Sequence, residues 1–241
     1  MTQSSAPLHI QNVSKDYDKL AALSGVTLSL HSGEIFGLIG LNGAGKTTLL
    51  KSILQLTRAT SGEIHIFGQN AAEVSTRKKL SYLPEKFQPS KYLTGYEYLD
   101  LSLSYYGQRL NKDSAAETAE ALDFPVEKLK HKISSYSKGT AQKIGLIGAF
   151  LVDRPLLILD EPMSGLDPLA RIRLKQKMQT YRDAGNTLFF SSHILSDIDE
   201  ICNRIGILHQ GTLRHTGTPK EFKGSFPAEN LENSFLAAIA A

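Results

Sequence analysis

Gly40, Gly43 and Gly45 stand within six residues of one another and run directly into Lys46, Thr47 and Thr48, in the stretch GLIGLNGAGKTTLLKSIL. Glycine has no Cβ, so a corner built this way lets the backbone come close to a ligand. The segment GLNGAGKT fits G-x-x-x-x-G-K-[ST], and it follows an apolar run, EIFGLIG, and precedes a helical repeat, TTLLKSILQL, which is the context that pattern requires. The chemistry served is phosphate binding. Backbone amides and a helix N-terminus face the anionic oxygens, Lys46 adds positive charge near the outer phosphates, and the Thr47 hydroxyl can ligate Mg²⁺. Gly40, Asn42, Gly43, Ala44, Gly45, Lys46, Thr47 and Thr48 are the residues expected around the ligand.

A second constellation is LLILDEP, where four apolar residues end in Asp160 and then Glu161. A carboxylate at the tip of a buried strand can orient a metal and its water shell. The adjacent carboxylates suit a division of labour, with Asp160 serving Mg²⁺ and Glu161 polarising an attacking water. A strand ending in Asp-Glu is common by itself, so its weight comes from sharing a chain with the glycine-rich loop.

The elements that must position these residues alternate in type. EIFGLIG, GEIHIFG, LSYLPE, PLLILDEP and NTLFFSSH read as strands separated by helical patterns, the signature of a largely parallel sheet covered by helices. RIGILHQGTLRHTGTP reads as a hairpin about Gln210-Gly211. Between LSYLPE and PLLILDEP the pattern is helical without a strand, and this reads as an insertion. Its first helix carries a capping box, Thr94 with Glu97, and Leu93 is placed to staple against Tyr98. DSAAETAEALDF makes a second helix and SKGTAQKIGLIGAFLVD a third.

Bulk properties exclude more than they specify. The 241 residues suffice for one large α/β domain. With 27 Lys+Arg against 24 Asp+Glu, the charge is too balanced to argue for a nucleic-acid or anionic-lipid surface. Cys202 is the single cysteine, so no intramolecular disulfide can form; it reads as a small helix-face hydrophobe. No window reaches the ~20 apolar residues that span a bilayer, and MTQSSAPLHIQNV lacks the layout of a secretory leader. Of the seven histidines, the six other than His193 show no ligand spacing, so no transition-metal site is expected.

SYSKGTAQK just before LLILDEP, and SGLDP just after it, complete a pattern that resembles the nucleotide-binding subunit of an ATP-binding cassette (ABC) transporter over nearly the whole chain. The family's signature, LSGGQ, maps onto Tyr136, Ser137, Lys138, Gly139 and Thr140; the serine and second glycine are kept and the other three positions depart. YSKGT and LSYLPE together resemble an exporter-type branch. The resemblance implies an α/β, P-loop NTPase (RecA-like) parallel-sheet core with an N-terminal antiparallel β subdomain and an inserted α-helical subdomain. The expected division is a catalytic core with β subdomain over 1–85 and 144–225, the helical insertion over 86–143, and a short helical tail over 226–241.

It further implies ATP and Mg²⁺ as ligands, with Lys46, Glu161 and His193 as catalytic residues and Thr47, Asp160 and Glu85 around the metal. Tyr17 matches the aromatic that stacks on adenine, and His193 the switch histidine near the γ-phosphate. Glu85 stands where most relatives carry glutamine; Gln88 is the alternative, three residues late. Ser137, Lys138, Gly139 and Thr140 would complete the ATP site of a second subunit, with Asp167 at that interface. Partners implied are an integral membrane permease subunit and a second nucleotide-binding subunit, as homodimer or with a paralogue, and no nucleic acid is expected. The chain would sit in the cytoplasm, peripheral on the inner face of the membrane through its partner. Tyr92, Tyr96 and Tyr98 either line a groove for that partner or belong to the subdomain core, and LENSFLAAIAA reads as a docking helix. A soluble ABC ATPase acting on DNA or ribosomes is the alternative reading; a P-loop kinase or GTPase lacks the signature and the SSH strand end.

Overall fold

The computed structural model describes residues 5–18, 20–226 and 231–240. Residues 1–4, on which the reading of the N-terminus partly rests, and part of the tail lie outside them. Ten strands and eight α-helices are described. The strands are β1 (Leu8–Tyr17), β2 (Leu20–Ser29), β3 (Ile35–Ile39), β4 (Ser61–Ile66), β5 (Gln69–Asn70), β6 (Leu80–Leu83), β7 (Leu156–Asp160), β8 (Thr187–Ser192), β9 (Arg204–His209) and β10 (Thr212–Gly217). The helices are α1 (Lys46–Ile53), α2 (Gly95–Ser104), α3 (Lys112–Ala121), α4 (Lys138–Leu151), α5 (Pro168–Asp183), α6 (Leu195–Ile201), α7 (Pro219–Ser225) and α8 (Leu231–Ala240).

Two sheets result. An antiparallel sheet has the order β2-β1-β4-β5, and a six-stranded sheet the order β10-β9-β3-β8-β7-β6. In the latter β9, β3, β8, β7 and β6 run parallel, and β10 turns back on β9 as the expected hairpin. The parallel strands are apolar at consecutive positions because both faces are covered. Ile35 and Ile39 of β3, Leu157 and Leu159 of β7, and Leu188 and Phe190 of β8 enter one core with helices α3 to α6 and α8. Their alternates Phe36, Leu38, Leu156, Ile158 and Phe189 enter a second core with α1 and the antiparallel sheet. Period-two alternation thus feeds two cores from one sheet.

The helical insertion forms as the sequence indicates. Thr94 caps α2, with both halves of the Thr94–Glu97 box made, and Asn111 caps α3. Helix α4 runs unbroken from Lys138 to Leu151, across the boundary expected at 143/144, so insertion and core share a helix. Gly145 and Gly148 let it lie close to its neighbours: a Cβ at Gly145 would stand 2.8 Å from Leu83 and Phe87. The tail helix α8 folds back on its own chain, burying Leu231, Phe235 and Ala238 beside α6 and α7. Among the described residues no helix is long and apolar enough to cross a membrane.

Candidate functional site: a nucleotide cleft at the carboxyl ends of the parallel strands

The chain leaves β3, β6, β7 and β8 at the same edge of the sheet, and this is where ligands bind in open α/β folds, beside the point at which strand order reverses. Here β3 lies between β8 and β9. The loop after β3 brings Lys46 and Thr47, that after β6 brings Glu85, that after β7 brings Glu161, and that after β8 brings His193. All five line one cleft of ≈ 660 Å³ together with Tyr17, Asn42, Gly43, Gly45 and Thr48.

The loop itself depends on its glycines. Gly43 and Gly45 have φ of 82° and 105°, the left-handed region that side chains avoid, and a Cβ on Gly45 would lie 2.7 Å from the Ala22 carbonyl oxygen. Gly45 is also the N-cap of α1; no side chain caps that helix and no acidic residue stands in its first turn, leaving its positive end to a ligand anion. Gly40 and Ala44 stand behind the cleft wall and shape the loop. The Gly40 carbonyl accepts from Lys46 Nζ at 2.7 Å, and the Ala44 amide donates to Leu41 O at 3.1 Å. The Ala44 carbonyl in turn accepts from Gly211, so the β9–β10 turn braces the loop from outside.

Opposite the loop, the Glu161 carboxylate is held at both oxygens. Oε1 lies 3.3 Å from Lys46 Nζ, and Oε2 lies 2.8 Å from His193 Nδ1. Glu161 is 7% exposed and its φ is +48°, a conformation that costs a non-glycine residue about 1–3 kcal/mol and tends to gather at functional sites. Asp160, 1% exposed, accepts from the Thr47 hydroxyl at Oδ2 (3.2 Å) and from the Ser191 hydroxyl at Oδ1 (2.5 Å). Burial pushes the Asp160 pKa up; the charges of Glu85 and Glu161 add to this, and the two hydroxyls oppose it. Tyr82 is pushed up to about 12 by burial and by the same Asp160 and Glu85 charges.

Glu85 and Glu161 both bear on Asp160 through their charges while Lys46 pairs with Glu161, a surplus of negative charge that a cation would offset, and the donors beside Asp160 are hydroxyl oxygens. Such a set fits Mg²⁺, which takes one or two protein ligands and completes its shell with phosphate oxygens and water. Among the described residues no group of three or more His, Cys, Asp and Glu side chains is arranged to hold a metal ion unaided. Gln88 borders a different cleft and does not line this one, whereas Glu85 lines both.

At the other end of the cleft Tyr17 is 43% exposed, with Leu20 beside it and Lys15 Nζ 4.7 Å from its ring centroid. Leu20, Ala21, Ala22, Leu41, Gln210 and Gly211 complete the wall, and none of them was expected around the ligand, although Leu41 lies within the glycine-rich motif and Gln210-Gly211 was read as a hairpin turn. Ser191 was missed too. Its signal is the register that sets it beside Asp160, and spacing along the chain does not carry register.

Ser137, Lys138, Gly139 and Thr140 do not line their own chain's nucleotide cleft. Ser137 caps α4 by accepting from the Thr140 amide, and Ser137 and Lys138 border a second cleft of ≈ 710 Å³. Gly139 packs where a Cβ would meet the Gly165 carbonyl at 3.0 Å, which brings the SGLDP loop against the signature. Asp167 caps α5 by accepting from the Ala170 amide; that bond lowers its pKa, and Lys143 stands 3.8 Å away. The three tyrosines of the insertion separate: Tyr92 is 87% exposed, Tyr96 packs on the core, and Tyr98 packs edge-on against Phe87 at 5.5 Å. Tyr98 lines a small cleft with Tyr82, Tyr105 and Tyr106, while Tyr92 and Tyr96 do not.

Residues 23–164 match the sequence description of the ABC transporter family. An uncharacterized ABC transporter ATP-binding protein of Nostoc sp., all4389, is 40% identical over 86% of this chain, which spans 63% of that relative's length. The bacitracin transport ATP-binding protein BcrA of Enterococcus faecalis is 35% identical over 86% of this chain and 67% of its own. Among solved structures, an ATP-binding subunit of an ABC transporter superposes with a TM-score of 0.87 at 32% identity, covering 96% of this chain and 98% of that one. The fold is also that of the ATP-binding cassette MJ0796, solved as a dimer in a post-hydrolysis state with ADP and Pi (TM-score 0.80, 23% identity, 88% and 98% covered). The strand-end cleft and these matches agree: the chain belongs to the ABC transporter family.

Proposed function

We propose that this chain hydrolyses ATP with Mg²⁺ to drive export through a separate integral membrane permease, closing with a second copy of itself around two nucleotides. The observation that carries the reading is the Glu161 carboxylate fixed between Lys46 and His193, beside Asp160 and Thr47. In this reading the adenine stacks on Tyr17, the phosphates lie on the amides from Asn42 to Thr48, and Lys46 exchanges its Gly40 and Glu161 partners for phosphate oxygens. Glu161, released from Lys46, accepts a proton from the water that attacks the γ-phosphate, and His193 keeps its carboxylate aimed. Thr47, Asp160 and Glu85 would hold Mg²⁺, which would supply charge neutralisation at the phosphates.

Ser137 to Thr140 at the N-terminus of α4 meet the second subunit's nucleotide, and Asp167 crosses the interface. The dimeric MJ0796 cassette supports this pairing, and the bacitracin transport name of a relative supports export. The chain thereby sits at the cytoplasmic face of the membrane through its permease. Purifying the tagged chain from gently solubilised membranes tests the transport reading. A multi-span membrane protein in stoichiometric amount is expected, and ribosomes or DNA-repair proteins in its place would overturn it.

A further inference from the structure

In the parallel pair β7–β8, Asp160 lies opposite Ser191. Side chains at paired positions leave a sheet on the same face, so register alone brings the Ser191 hydroxyl to the Asp160 carboxylate. A serine hydroxyl has one proton to give and two lone pairs to offer. Here the proton goes to Asp160 Oδ1 at 2.5 Å, and a lone pair accepts the backbone N–H of Glu161 at 2.9 Å. Ser191 is 0% exposed, so water does not compete for either bond. One buried hydroxyl is therefore bonded to both neighbouring acidic residues of the site, at the side chain of the first and the backbone of the second.

The second bond falls where the chain is strained. Glu161 has φ +48°, and its amide is the first peptide beyond β7, so the Ser191 bond anchors the left-handed turn from which the Glu161 side chain departs. Two residues further along, the loop after β8 supplies His193, whose Nδ1 lies 2.8 Å from Glu161 Oε2. Glu161 is thus held at its backbone by Ser191 and at its carboxylate by His193. Ser191 itself does not line the nucleotide cleft.

We propose that Ser191 is a positioning residue for ATP hydrolysis, its single hydroxyl fixing the Asp160 carboxylate and the Glu161 turn in the arrangement that aligns the attacking water. The proposal rests on the reading of Glu161 given above. Because Ser191 reaches the nucleotide only through these two residues, its loss lowers turnover far more than it weakens nucleotide binding. Misplacing a reacting group by about 1 Å can cost roughly a hundredfold in rate.

Two substitutions separate the hydrogen bonds from the packing. Ser191→Ala removes the hydroxyl and leaves a small void; Ser191→Cys fills the volume with a weak hydrogen-bonding group. For both, kcat is expected to fall by roughly ten- to a hundredfold. KM for ATP and the equilibrium Kd of a fluorescent ATP analogue should stay within about twofold of the parent, and melting temperature should hold in the Cys variant. Full kcat in either variant would overturn the proposal, and so would a loss of ATP analogue affinity or of the melting transition that tracks the loss of rate. Glu161→Gln measured alongside distinguishes the two levels. A slow Glu161→Gln beside full-speed Ser191 variants would refute the positioning role alone, whereas a full-speed Glu161→Gln would remove the Glu161 half of both readings.

Discussion

Glu161 and Glu85 are both carboxylates at strand ends in one cleft, yet their surroundings assign them different work. Glu161 is buried, bonded at both oxygens and set on a left-handed backbone, while Glu85 borders two clefts and bears on Asp160 through its charge. Glu161→Gln is therefore expected to bind ATP and to lose roughly 10²- to 10⁴-fold in turnover, the range associated with a removed general base. Glu85→Gln keeps an oxygen ligand and removes one of the charges that raise the Asp160 pKa, so its steady-state rate should stay within a few-fold of the parent. A Glu85→Gln as slow as Glu161→Gln would reverse these roles. At this scale much was legible in the sequence: Lys46, Thr47, Glu85, Glu161 and His193 meet in one cleft because each follows a strand whose carboxyl end lies at the same edge. Gly40 and Ala44 match the motif but shape the loop from behind, and Ser191 was hidden because spacing along one strand does not reveal what faces it on the next.

Among the elements, α6 links the site to the sheet, since it follows His193 directly and lies against β3. Gly37 of β3 makes the close approach possible: a Cβ there would stand 2.7 Å from Cys202 Sγ and 3.2 Å from Ile198. Cys202 ends α6, and burial pushes its thiol pKa well up, so it packs as a small apolar group and is not a ready nucleophile. Gly37→Ala should cost about 1–3 kcal/mol by overpacking, and Cys202→Ala in the same chain should restore part of that loss. Denaturant unfolding of the single and double variants measures the coupling; strictly additive costs would show that the two residues do not share the space. The helix is also tied to α5 by Lys175, which pairs with Asp197 and Glu200. Strands and helices were readable from periodicity, since two-sided burial demands unbroken apolar runs. These ties across elements were not, because they depend on which helix crosses which strand.

For the whole molecule, the decisive feature is that the two helix N-termini which the proposed function assigns to ATP open on different clefts. The N-terminus of α1 opens on the cleft with Lys46, while the N-terminus of α4, capped by Ser137, borders a separate cleft. A single chain therefore does not bring its signature to its own nucleotide cleft, which is why pairing with a second copy is central to the proposed function. Family pattern assigned the signature to the start of α4, and the three tyrosines it grouped with the insertion separate: Tyr98 joins Tyr105 and Tyr106, and Tyr92 stands apart at the surface. Helical spacing gives the face of a residue and not the neighbour it meets. The most direct test of the whole account is the solution mass of Glu161→Gln by light scattering, with ATP and Mg²⁺ and then with ADP. We expect a dimer with ATP, a monomer with ADP, and a monomer throughout when Ser137→Arg is added. A Glu161→Gln chain that binds ATP and stays monomeric, or a dimer indifferent to Ser137→Arg, would contradict it.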